Sequence, residues 1–216
     1  LNDLINSASN DILVFTDANT EFKNDSIQKL VSHFSDKNIG GVCGKLILTD
    51  EKLDKKEGVE EALYWQFETI IKKGEGVLGI LIGANGGNFA IRKSLATYLP
   101  PDKPVTDDLF LSLSVLQKGA KVVYAPDSIA KEDVGESIET ELKRKVRFAA
   151  TNFQTLSLTK KLLFNKNIIL SYSFFSHKVS RWLFPLFMIS LFIVSTLLVN
   201  TNQFYFYVFI LQIMFY

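Results

Sequence analysis

Three short clusters in this chain hold residue types that can do chemistry. The first is Thr16-Asp17-Ala18-Asn19, which follows the apolar run DILVFT. Alternate residues of an extended segment point the same way, so Asp17 and Asn19 would present two oxygens to one site. A carboxylate and an amide carbonyl suit a hard cation, Mg2+ or Mn2+, bridging a diphosphate. The same residue types also favour an Asx turn or a helix N-cap. The second cluster is Val105-Thr106-Asp107-Asp108. Its paired carboxylates would accept a proton from an attacking hydroxyl; equally, Thr106 or Asp107 would cap a following helix. The third is Arg144-Lys145-Val146-Arg147-Phe148. Its cations would hold a diphosphate leaving group and its aromatic ring would stack on a flat apolar face; lipid headgroups would meet the same charges.

These clusters need elements to position them. The β-rich run at 11–16 reads as a buried strand ending at Asp17. Ile27, Leu30, Val31 and Phe34 give residues 25–36 a helical spacing, and GVCGKLIL at 41–48 reads as a strand. Within 58–73, Val59, Ala62, Leu63, Phe67, Ile70 and Ile71 fall on one helical stripe. Six of the twelve glycines then lie between 74 and 87. That density fits a ligand-facing loop, because glycine permits positive φ and close backbone approach, and it fits a set of hairpin turns as well. A helix is expected over 107–118, capped by Gly119, with a strand at 121–125. Strands alternating with helices imply an α/β domain with a largely parallel sheet, whose ligands bind at the carboxyl ends of strands. Asp17 sits at such an end.

Composition narrows the function further. With 24 basic and 23 acidic residues the chain is close to neutral, which argues against a nucleic-acid binder. One cysteine, Cys43, and two histidines, His33 and His177, exclude a disulfide framework and a Cys- or His-built metal cluster. Cys43 is expected to be buried in a strand and His33 to lie on a surface helix; neither is assigned a role. From 139 to 163, Leu142, Val146, Ala149, Phe153 and Leu156 form an apolar face opposite Lys143, Arg144, Lys145, Arg147, Lys160 and Lys161. Such a basic amphipathic helix fits the headgroup region of a bilayer, or an ordinary protein surface. Residues 182–216 contain no Asp, Glu, Lys or Arg. A first span is expected at 182–199 and a second from 203, after Asn200-Thr201-Asn202. Lys166, Lys178 and Arg181 precede the first span and place the preceding domain in the cytoplasm by the positive-inside rule. The chain starts at Leu1 and stops within an apolar run, so both ends read as cut.

The clusters, taken in order, resemble the family-2 glycosyltransferases with a GT-A fold, the group of hyaluronan, cellulose and poly-N-acetylglucosamine synthases. In that family an Asp-x-Asp motif binds metal and nucleotide-sugar, matched here by Asp17-Ala18-Asn19. A Thr-Glu-Asp motif supplies the general base, matched by Thr106-Asp107-Asp108 with Asp108 in the base position. A Gln-x-x-Arg-Trp motif on an interfacial helix is matched loosely by Arg144-Lys145-Val146-Arg147-Phe148. Leu1-Asn2 resembles the end of an Ala-Leu-Asn segment, and the run from Gly83 to Arg92 resembles a glycine-rich acceptor loop. Asn19 departs from the family's second Asp, Asp107 from its Glu, Arg144 from its Gln and Phe148 from its Trp.

The resemblance implies a partial Rossmann-like mixed sheet flanked by helices over 1–138, lacking the first nucleotide-binding strands. It implies an amphipathic interfacial region at 139–181 and a transmembrane region at 182–216. It further implies an inverting transfer of sugar from a nucleotide-sugar, expected to be a UDP-sugar, to a glycan or lipid acceptor in polysaccharide or glycolipid synthesis. Asp17 and Asn19 would hold Mg2+ or Mn2+, and Asp108 would be the base with Asp107 orienting it. Arg144 and Arg147 would hold the diphosphate, while Phe148, Gly86, Gly87 and Thr106 would line the substrate site. The rival expectation is a catalytically degenerate, membrane-tethered scaffold or binding protein of the same fold, favoured by Asn19 and the loose third motif.

Overall fold

The computed structural model describes residues 1–49, 58–133 and 138–215, with the side chains at 48–49, 58–62, 133 and 138–141 outside the described set. Two compact units result, Leu1–Phe174 and Phe175–Tyr216.

In the first unit a five-stranded sheet has the order β1-β4-β3-β5-β2. Its strands are β1 (Ile12–Phe15), β2 (Thr20–Phe22), β3 (Ile39–Thr49), β4 (Phe89–Arg92) and β5 (Lys121–Asp133). The sheet is mixed rather than largely parallel: only β3 and β5 run parallel, while β1–β4, β3–β4 and β2–β5 are antiparallel. Strand–helix alternation points to parallel pairing only when each helix is a crossover between neighbouring strands. Here β4 enters between β1 and β3 in the opposite sense. The mixed sheet implied by the family resemblance is the one found.

Apolar side chains of both faces make the core. Leu30 and Phe34, from α2 (Ser26–Ser32) and the 3-10 turn after it, pack with Ile39, Val42, Ala90 and Ala125 of three strands. Helix α4 (Asp107–Gln117) is buried along its whole body, from Leu109 to Leu116, and Gly119 closes it with φ +80°. Helix α1 (Asn2–Ser7) is tied to a distant loop by Asn2, whose carboxamide both donates to the Leu99 carbonyl (2.9 Å) and accepts from the Leu99 N–H (2.8 Å).

Helix α3 (Gly58–Leu78) is longer than the sequence pattern suggests and absorbs Gly74 and Gly76. Gly76 is required where the helix meets β5, because a Cβ there would lie 2.6 Å from that of Tyr124. The apolar stripe of this helix is not its buried face. Leu63, Phe67 and Ile70 are exposed, Ile70 to 67 %; Val59 and Ala62 lie outside the described side chains. Facing inward instead are Glu68, Lys72 and Glu75.

Helix α5 (Ile138–Thr159) likewise leaves Leu142, Val146, Phe148 and Phe153 exposed and buries Thr151, Thr155 and Thr159. A 3-10 stretch and the short α6 (Ile168–Phe174) follow, with Asn167 Oδ1 accepting the N–H groups of Ile169 (3.1 Å) and Leu170 (3.2 Å) at the start of α6.

The second unit contains a π-helical turn (Phe175–Val179), α7 (Ser180–Leu198) and α8 (Gln203–Phe215). Ser195 Oγ donates to Gln212 Oε1 at 2.6 Å, and the Phe192 and Phe209 rings stack with centroids 5.7 Å apart. A buried polar pair between apolar helices is a common device of helix pairing in lipid. Among the described residues one helical run, Ile168–Leu198, is long and apolar enough to cross a membrane, and α8 is shorter.

Candidate active site

Strand β1 delivers Asp17, the β3–β4 region delivers Gly86, and the N-terminus of α4 delivers Asp107 and Asp108. Phe15, at the end of β1, stacks on its register partner Phe89 with ring centroids 4.5 Å apart and planes 10° from parallel. That contact fixes the chain just before Asp17. The next residues turn at once: the Thr20 N–H donates to the Asp17 carbonyl at 3.1 Å. Asp17 and Asn19 therefore sit on a tight turn rather than on extended chain, and they do not point the same way by strand alternation. Asn19 Nδ2 donates to Glu132 Oε1 at 3.4 Å.

Gly86 is the centre of the arrangement. A Cβ built on it would lie 3.3 Å from Asp17 Oδ2 and 3.5 Å from Asp108 Oδ2, so both carboxylates lie beside this glycine. A side chain here would crowd both carboxylates. Gly87 is equally constrained, because its Cβ would come within 2.5 Å of Thr20 Oγ1. Of the glycine-rich stretch, Gly74 and Gly76 belong to α3, while Gly86 and Gly87 lie in the segment leading into β4, beside Asp17, Asp108 and Thr20.

A buried network, invisible to motif inspection, holds this loop. Lys72, only 7 % exposed, donates from Nζ to Asn85 Oδ1. Asn85 Nδ2 donates to the Gly44 carbonyl (2.8 Å), and the Asn85 N–H to Cys43 Sγ (3.2 Å). Glu75 Oε2 accepts the Ile82 N–H at 2.9 Å. Asn88 Nδ2 donates to the carbonyls of Lys45 and Ser128, both at 3.1 Å. The loop leaves the sheet's ladder, so its backbone groups need partners from side chains. This explains why α3 turns its charged face inward. The available signal was Glu68, Lys72 and Glu75 recurring at helical spacing opposite the apolar stripe.

Thr106 occupies the N-cap position of α4 but makes no capping bond with its side chain. Its carbonyl accepts the Phe110 N–H (2.8 Å), and Asp108 Oδ1 accepts the Leu109 N–H (2.6 Å). Asp107 is exposed and Asp108 half-buried. Burial, and secondarily the Asp107 carboxylate, push the Asp17 carboxyl above its ordinary value of 3.8. The nearby Asp107 charge thus adds to burial in disfavouring the ionised form of Asp17.

A divalent cation suits this donor set. Its ligands are hard oxygens, and added positive charge relieves the crowding felt by Asp17. Among the described residues no three Asp, Glu, His or Cys side chains converge as a closed cage. The remaining coordination would come from substrate phosphate and water, as is usual for Mg2+.

The third cluster lies on α5. Arg144 is half-buried and Arg147 exposed, with its guanidinium carbon 5.4 Å from the centre of the Phe148 ring. A cation held over an aromatic face gains attraction from the ring quadrupole. That contact ties Arg147 and Phe148 into one group. Cys43 is buried and thiol-free of any disulfide, while His33 opens the 3-10 turn after α2 and is half-buried.

Comparison with known proteins bears on the family and the fold. The family model described as Glycosyl transferase family group 2 matches residues 12–216. An N-acetylglucosaminyltransferase of Bradyrhizobium diazoefficiens is 25% identical over 169 residues, covering 74% of this chain and 35% of that protein. One from Rhizobium meliloti is 24% identical over 195 residues, covering 84% of this chain and 45% of that protein. The chain thus spans less than half the length of these relatives. Among solved structures, the mannosyltransferase PcManGT from Pyrobaculum calidifontis, in complex with GDP-Man and Mn2+, is similar with a TM-score of 0.53 and 15% identity. That likeness covers 98% of this chain and 62% of the other, and at such identity it speaks for the fold, an α/β fold of GT-A type.

Proposed function

The chain belongs to glycosyl transferase family group 2, and from that premise we propose that it carries the acid–base centre of an inverting glycosyltransferase. The reaction moves a sugar from a nucleotide-sugar, read here as a UDP-sugar, to an acceptor hydroxyl. The observation that carries this reading is that Asp17 Oδ2 and Asp108 Oδ2 both lie beside Gly86, 3.3 and 3.5 Å from a Cβ built on it. Two carboxylates beside a glycine without a side chain leave the backbone open to substrate, one suited to a cation and the other to a proton.

Asp108 takes the proton of the acceptor hydroxyl as its oxygen attacks the anomeric carbon. The bond from that carbon to the diphosphate oxygen breaks on the opposite side, and the leaving group departs with the electron pair. Arg147, with Arg144 beside it, receives that negative charge. Asp107 stands next to the base and holds its orientation at the helix start. Phe148 supplies a face for the acceptor ring, and Gly86 and Gly87 allow the substrate close to the backbone. Thr106 fixes the turn on which both carboxylates sit. Asp17, with the carbonyl of Asn19, would hold Mg2+ or Mn2+. When bound, such a cation neutralises the diphosphate and favours its departure.

Placement at the membrane is part of this reading, supported by the apolar run Ile168–Leu198 and the exposed apolar residues of α5 beside its lysines and arginines. Lys166, Lys178 and Arg181 set the catalytic side on the cytoplasmic face, where the acceptor is a lipid-linked or growing glycan of polysaccharide or glycolipid synthesis.

The test uses the full-length protein in membranes with a panel of nucleotide-sugars, with and without Mn2+ or Mg2+. Release of nucleoside diphosphate is measured for wild type and for Asp108→Asn. Cation-dependent release that falls by about 10²- to 10⁴-fold in the variant, the usual worth of a general base, supports the reading. Absence of release with every donor, from protein shown to be folded, transfers the assignment to a membrane-tethered scaffold of the same fold.

A further inference from the structure

Helix α5 buries a stripe of hydroxyls where an amphipathic helix ordinarily buries apolar groups. Thr151, Thr155 and Thr159 recur at four-residue spacing; Thr155 and Thr159 are fully buried and Thr151 is 7 % exposed. Each donates its proton back one turn: Thr151 to the Arg147 carbonyl (3.0 Å), Thr155 to Thr151 (2.8 Å) and Thr159 to Thr155 (2.7 Å). A hydroxyl that has spent its proton in this way still has lone pairs to offer. Two of the three offer them to the same residue. Thr155 Oγ1 accepts the Thr106 N–H at 3.3 Å, and Thr151 Oγ1 lies 2.8 Å from Thr106 Oγ1. The single Thr106 hydroxyl proton has two acceptors on α5 to choose between, Thr151 Oγ1 and Asn152 Oδ1 at 3.1 Å.

Thr106 therefore gives up the capping bond its position would allow and binds across to α5 instead. An N-cap hydroxyl ordinarily accepts an N–H of the first helical turn, whereas this one is engaged with α5. Apolar side chains in the stripe would bury as well but would let the two helices slide along each other. Directional hydrogen bonds fix the axial register. One end of the connection is the residue immediately before Asp107 and Asp108. The other end begins one helical turn after Arg147.

We infer that Thr151, seconded by Thr155, is a positioning residue that sets helix α5, and with it Arg147 and Phe148, in register against the acidic turn of α4. This rests on the transferase reading for its consequence: the base and the leaving-group cations sit on different helices, and this lock holds them at one separation. It also ties a helix with an exposed apolar face to the site, so that movement of α5 is felt at Asp108.

The experiment compares Thr151→Val, Thr151→Ser and Thr106→Val, with the double variant Thr106→Val/Thr151→Val, in full-length protein in membranes. Valine keeps the shape and the β-branch and removes only the hydroxyl; serine restores it. The expected result is a fall in kcat of about 10- to 100-fold for Thr151→Val, the scale of a small misplacement at a reacting centre. The donor KM stays within about twofold of wild type, Thr151→Ser keeps near-normal kcat, and the second substitution adds little to the first. A wild-type kcat in Thr151→Val, or a serine variant as slow as valine, overturns the inference while leaving the transferase reading intact. If wild type releases no diphosphate at all, amide hydrogen exchange decides separately. Exchange at residues 106–109 rises in Thr151→Val and in Thr155→Val if the lock exists, and unchanged exchange refutes it.

Discussion

Helices α3 and α4 both reach the acidic site, and they bury opposite kinds of surface. In α4 the residues from Leu109 to Leu116 are all inside, and chemistry is confined to Asp107 and Asp108 in the first turn. In α3 the inside belongs to Glu68, Lys72 and Glu75, while Leu63, Phe67 and Ile70 look outward. The first helix is a rigid mount: packing holds its body, and its N-terminus presents carboxylates. The second is a polar brace whose side chains complete the hydrogen bonds of a glycine loop. One amphipathic pattern can therefore mark the buried face of a helix or its exposed one. What decides is whether the neighbouring backbone is already satisfied within a sheet or needs side-chain partners.

The largest effect expected from this contrast comes from trimming leucine in each helix. Leu111, fully buried in α4, should cost about 2–5 kcal/mol of unfolding free energy when changed to Ala, through lost burial and a residual cavity. Leu63→Ala in α3 should stay within about 0.5 kcal/mol, as for exposed positions generally. Denaturant or thermal melts of the full chain in detergent would measure both. Equal costs would mean that α3 packs its apolar stripe against something in the intact protein.

Lys72→Met probes the brace itself. The variant keeps the aliphatic stem and removes the donor to Asn85, leaving Asn85 Oδ1 buried without that partner. The expected loss is about 1–3 kcal/mol, the cost of an unsatisfied buried acceptor. Because Asn85 precedes Gly86, activity should drop further than the melt implies. Lys72→Arg, which retains a cationic donor, should recover part of both. A methionine variant as stable and as active as wild type would remove Lys72 from any role in holding the loop.

The contrast also shows where the sequence was readable. The alternation of strands and helices is plain in the periodicity, as are the Gly119 stop and the burial of Cys43. The strand directions are not, because antiparallel insertion of β4 depends on pairing partners far apart in sequence. Motif order brought Asp17, Gly86 and Asp108 forward together, and the fold does bring them around one point. The geometry assumed for Asn19 was wrong in its premise, since a turn closed by Thr20 replaces the extended chain. Lys72, Asn85 and Thr151 stayed hidden for a shared reason. Each acts through a hydrogen bond to a group distant in sequence or on another element, so spacing shows at most a polar face and never the partner.

The smallest effect concerns Asp17, where the mount and the brace meet. Its carboxyl is held above its ordinary value of 3.8 mainly by burial and further by Asp107. A raised folded-state value means that ionising Asp17 costs more in the folded protein than in the unfolded chain. The associated stability is complete below 3.8 and is lost as pH rises through the folded-state value. At neutral pH without cation, Asp17 is therefore a net burden on the fold, and Asp17→Asn should raise the melting temperature. The gain should amount to well under about 1 kcal/mol, since solvent screens a carboxylate this open. It should shrink as pH falls towards 3.8. Added Mn2+ should reverse the order, stabilising wild type by mass action and leaving the variant unmoved. Melts at several pH values, with chelator or Mn2+, make the measurement. A variant less stable than wild type in chelator at neutral pH would show that the Asp17 carboxylate is held by the fold itself, not reserved for a cation.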